Sequence, residues 1–109
     1  MLFGGSDNIL SDTWEWDGSA WTQRNPATSP TQRFGHAMAY DSRRQRVFLH
    51  GGTRNFSNGL SDSWEWDGTT WTRRTATNEP ETWANPMVFD SARQRMMLFI
   101  SNATWVLLP

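Results

Sequence analysis

Six carboxylates in this 109-residue chain stand in two matching sets: Asp12, Glu15 and Asp17, then Asp62, Glu65 and Asp67. Acidic groups spaced so closely are the raw material of general acid–base catalysis or of a hard-metal site, each of which needs ionisable side chains converging on one atom. Here, however, the sets recur fifty residues apart, inside LSDTWEWDGSAWTQR (10–24) and LSDSWEWDGTTWTRR (60–74). A catalytic constellation is assembled once, from different elements, and not unit by unit. Aspartates at strand ends and in Asp-Gly turns accept local backbone hydrogen bonds, and that structural role is the expected one.

The remaining chemistry-bearing residues are sparse. His36 and His50 each lack a spaced partner, whereas a zinc site wants three or four converging ligands, so both are expected to be satisfied structural histidines. Arg43–Arg44 and Arg73–Arg74 fall in turns or at strand ends and are expected to be a solvated rim. The formal net charge of −1 and the absence of a basic stripe argue against nucleic acid and anionic membrane as partners. With no cysteine there is neither a disulfide nor a cysteine nucleophile, and either redox compartment is compatible. No apolar run approaches the roughly 20 residues of a membrane helix. The expectation is a protein with no catalytic residue, metal or cofactor.

These groups sit in a repeat. Eleven of the fifteen letters in the two segments are identical, and the correspondence extends beyond them. MLFGG, ending at Gly5, matches VFLHGG, ending at Gly52; RFGHAMAYDSRRQRVFLHGG (33–52) matches TWANPMVFDSARQRMMLFIS (82–101). Residues 1–24 thus read as the end of a first unit, 33–74 as a complete second, and 82–109 as a third lacking its last strand. Each segment reads as a short strand closed by turn chemistry, four per complete unit, in all-β antiparallel order. In the first strand of a unit, Gly35, Ala37 and Ala39 share one face, and His36, Met38 and Tyr40 the other. Small residues there and the bulk of Trp14, Trp16, Trp21, Trp64, Trp66 and Trp71 in the outer strands fit sheets that converge on a common axis, with indoles filling the gaps. Four strands in about fifty residues is the pattern of a β-propeller blade.

Arg33-Phe34-Gly35-His36, the pair Gly51-Gly52 after an apolar strand, Asp62 and Trp64 in the next, and Trp71 after a Trp-Asp-Gly turn together resemble the kelch repeat, in its order and spacing. Gly4-Gly5 and Trp105 occupy corresponding positions in the outer units. The resemblance covers nearly the whole chain and implies that these signature residues are structural, the glycines permitting a bulge or close backbone approach. The third unit departs, with Thr82-Trp83-Ala84-Asn85 and Ile100-Ser101 in place of the signature, as terminal repeats do. Galactose-oxidase-like enzymes share this blade type, but their copper site needs a cysteine-linked tyrosine that this chain lacks. The sialidase aspartate box also fails to match Trp16-Asp17-Gly18.

A closed propeller uses four to eight blades, so strands grouped three, four and three imply an incomplete ring with unpaired edges and uncovered tryptophan faces. Two completions are expected: Met1, which opens inside a strand-like run, begins within a longer protein, or two copies combine into a six-position ring. In such blades the long, variable loops emerge on one face, and binding residues favour loops on a rigid scaffold. Asp7, Asn8, Asn25, Arg54, Asn55, Phe56, Asn58 and Asn78 are therefore the candidate recognition face, with Phe56 foremost because no packing duty is legible for it. The expected function is a non-catalytic protein-interaction scaffold, with carbohydrate binding as the alternative.

Overall fold

The computed structural model describes residues 1–5, 10–74, 80–100 and 103–108. The chain is all-β, with ten strands and no helix among these residues: β1 (Leu2–Gly5), β2 (Leu10–Trp16), β3 (Trp21–Arg24), β4 (Ala37–Asp41), β5 (Arg46–His50), β6 (Ser63–Trp66), β7 (Trp71–Arg74), β8 (Met87–Asp90), β9 (Arg95–Ile100) and β10 (Ala103–Leu108). They form three antiparallel sheets in which spatial order follows chain order: β1-β2-β3, β4-β5-β6-β7 and β8-β9-β10. None closes on itself.

Repeated letters make repeated turns. The Asp17 carboxylate accepts the backbone N–H groups of Ser19 and Ala20, both at 2.8 Å, and Asp67 does the same for Thr69 and Thr70 at 2.8 and 2.9 Å. These bonds favour the ionised form and hold both carboxyls below their usual range. Trp16 pairs with Trp21 and Trp66 with Trp71 across the two loops. The polar connectors also match: Asp41 and Asp90 each accept two backbone N–H groups, and Gln45 and Gln94 turn the chain at φ of 55° and 57°.

Side-chain alternation gives the middle sheet two packed faces. On one, Ala37 and Phe48, with Ala39 beside them, meet Met87, Met96 and Leu98 of the third sheet; the alanines leave room for β8 to lie against β4. On the other, Leu49, Trp66 and Trp71 meet Phe3 of the first sheet, flanked by Met1, Met38, Val47 and Trp64. Polar contacts fix that second interface: the indole N–H of Trp71 donates to Thr13 Oγ1 at 3.0 Å, and that of Trp66 to Glu15 Oε2 at 3.4 Å. The indoles therefore divide. Trp66 and Trp71 are 2% and 1% exposed, while their counterparts Trp16 and Trp21, on the outer face of the first sheet, are 50% and 51% exposed. Trp14 and Trp64 are half-buried.

Candidate functional site

The loops at one end of the sheets are knit together by one buried cation. Arg33 is fully buried, and its guanidinium donates two bonds of 2.8 Å to the Asp62 carboxylate, one to Gly51 O and others to Thr31 O and Oγ1. Burial alone would raise the Asp62 carboxyl, but the bonds from Arg33 and from the Trp64 indole outweigh it and hold it down at about 2. Around this clamp the backbone crosses between loops. Phe34 and Thr53 exchange bonds of 3.0 and 2.9 Å; Gly52 N donates to Thr82 O, Thr82 N to Leu60 O, Leu60 N to Gly52 O, and Ala84 N to Gly35 O. A side chain cannot fit where Thr82 passes: a Cβ at Gly51 would lie 2.4 Å from Thr82 O, and its φ is +70°. Arg33, Gly51, Gly52 and Asp62 thus build a hydrogen-bonded plateau from segments far apart in sequence.

An aromatic cluster stands on that plateau. The Phe34 ring, buried, lies 4.4 Å from Phe56, and Trp83 approaches both edge-on at 6.4 and 6.3 Å. Phe56 therefore does have a packing partner, which the sequence did not disclose, yet it remains 67% exposed. It is also held at φ 64°, a left-handed conformation costly for a bulky residue. Asn55 and Asn58 have local duties: Asn55 Oδ1 accepts the N–H groups of Ser57 and Asn58, and Thr53 Oγ1 donates to Asn58 O. Arg54 is exposed beside them. Asn25 does not join this group; it lines a separate cleft of about 480 Å³ with Asp12, Arg24 and Ser29. Asp7, Asn8 and Asn78 lie outside the described residues. Phe34 and Trp83 are the members that sequence reasoning passed over, although each follows the equivalent position of its unit, Arg33 and Thr82, and both are aromatic.

The repeated carboxylates do not converge. Glu65 is buried and clamped by Arg44 and Arg74, Glu15 pairs with Arg24 at 2.6 Å, and Asp12 accepts the Trp14 indole at 2.6 Å. Among the described residues no group of three potential metal ligands occurs. His50 is held on both sides, Nδ1 by Ser63 Oγ at 2.6 Å and Nε2 by Pro80 O at 2.8 Å; a carbonyl only accepts, so Nε2 carries the proton there. His36 differs from the satisfied histidine expected: its buried Nδ1 has no partner among the described residues. Burial, then the charge of Arg33, lowers its pKa to about 4, against an opposing bond with the Phe3 backbone.

The comparisons with known proteins add no relative to this geometry: no protein-family model matches the chain, and no curated protein matches it.

Proposed function

We propose that the chain is a segment of a kelch-like β-propeller whose loop plateau binds a protein partner without catalysis. The observation that carries this reading is Phe56: a strained aromatic, 67% exposed, seated on Phe34 and framed by Trp83 over a hydrogen-bonded base. Exposed aromatics pre-positioned on a rigid support are the anchors from which protein interfaces draw much of their energy. The blade assignment is supported by the meandering four-stranded sheet β4-β5-β6-β7 and by the kelch-like signature residues at its loop end. Carbohydrate is a second reading, favoured by the same ring, since a sugar face stacks on an exposed aromatic beside amide and guanidinium donors.

Photo-crosslinking from a benzoylphenylalanine at position 56 in the source cell, followed by binding assays with the captured protein, tests the first reading. Phe56→Ala and Arg54→Ala are expected to abolish that binding, and Arg54→Ala, at an exposed position, is expected to leave the unfolding free energy within about 0.5 kcal/mol of the parent. Unchanged affinity in both variants removes the plateau as the site. A sugar-dependent shift of tryptophan fluorescence, lost in Phe56→Ala, selects the carbohydrate reading.

A further inference from the structure

The outer faces of the first and third sheets carry residues that match the two sides of an interface already present within the fold. Its template lies inside the molecule. Phe3 and Thr13 are directly paired across β1 and β2, and together they receive Trp71 of the next sheet: the Phe3 ring meets its edge at 5.4 Å and Thr13 Oγ1 accepts its indole N–H at 3.0 Å. The same two residue types recur, in direct register, as Phe99 and Thr104 across β9 and β10. Met96 and Leu98 point into the core, so Phe99 points the other way, and it is 38% exposed. Among the described residues no aromatic ring packs on that socket. Its plug is at the opposite end of the stack. Trp16 and Trp21 stand 5.5 Å apart at 50°, the same distance and angle as Trp66 and Trp71, but half exposed and not buried.

We infer that Trp21 of one copy of this chain docks on Phe99 and Thr104 of a second copy, as Trp71 docks on Phe3 and Thr13 within one. Two residues beyond Thr104 stands Val106, 48% exposed, where the template has Glu15; Trp16 therefore meets an apolar surface in place of an acceptor. Each copy carries one plug and one socket on different faces, so the contact is head-to-tail, closing into a ring of two if the rotation permits and otherwise extending. The inference rests on sheet packing alone and is independent of what the loop plateau binds.

Light scattering on the purified chain is expected to give twice the 12.6 kDa of one copy, or a higher multiple. Trp21→Ala alone and Phe99→Ala alone are each expected to return the single-copy mass. Mixed in equal amounts they retain one intact plug and one intact socket, and a two-copy species is expected to reappear. Thr104→Arg, at an exposed position, serves as a second socket variant, and far-UV circular dichroism verifies that each variant keeps its sheets. A parent that stays at the single-copy mass at its highest soluble concentration overturns the inference. So do single variants that assemble like the parent, or a mixture that does not reassociate, which would mark a contact between like faces.

Discussion

At the scale of single residues, the Arg33–Asp62 pair is where the loop plateau is most vulnerable. Arg33 is fully buried, whereas Asp62 keeps 17% side-chain exposure, so neutralising Asp62 leaves the guanidinium charge in the interior without its compensating carboxylate. Removing one member of a buried pair typically costs 3–5 kcal/mol, far more than the net worth of the pair itself. Asp62→Asn is accordingly expected to lower unfolding stability by about 4 kcal/mol in urea titrations. Asp12 is an internal control: it accepts its own tryptophan at the same repeat position, but its Oδ1 has no partner among the described residues. Asp12→Asn can keep the Trp14 bond and is expected to cost less than about 1 kcal/mol. Equal losses in the two variants would mean that the arginine clamp contributes nothing beyond the tryptophan bond.

At the scale of elements, the turns separate conformational from steric demands for glycine. Gly68 sits in an Asp-Gly hairpin at φ +101° with open space around it, so Gly68→Ala meets only backbone strain, about 1–2 kcal/mol. Gly51 adds a collision with the carbonyl of Thr82, and Gly51→Ala is expected to cost roughly 4 kcal/mol, at the large end for point changes. A similar unfolding midpoint for both would contradict the crossing as the reason for the double glycine. Strands and turns were legible because each is set locally: alternation chooses the faces, and an Asp-Gly or Asp-Ser start fixes the bend. The Phe34–Phe56–Trp83 cluster was not, because it is built by three loops meeting through long-range backbone bonds that no local pattern encodes. Likewise the two tryptophan pairs are nearly identical in sequence and in geometry, and only the neighbouring sheet decides that one is core and the other surface.

At the scale of the whole molecule, stability couples to pH through the seam between the first and middle sheets. His36 lies there, edge-on to Phe3 at 5.7 Å and under the field of Arg33, with its pKa depressed from 6.5 to about 4. Between those values the unfolded chain binds a proton that the folded chain refuses, so folding loses ground as pH falls. The contribution is fully present above pH 6.5, declines through the window, and levels off once the folded histidine also protonates near pH 4. The upper bound for a shift of this size is about 3 kcal/mol. Asp62 extends the loss to lower pH: its carboxyl is held at about 2 against 3.8 unfolded, so its stabilisation disappears as pH drops through that interval. His36→Asn, placing there the residue type that Asn85 supplies in the third unit, removes the first step and leaves the second. Urea midpoints measured from pH 7 to pH 3 are therefore expected to fall in two stages for the parent and only below about pH 4 for His36→Asn. A parent profile flat between pH 6.5 and 4, or one unaltered by the substitution, would place the titrating group elsewhere and detach the seam from the acid response.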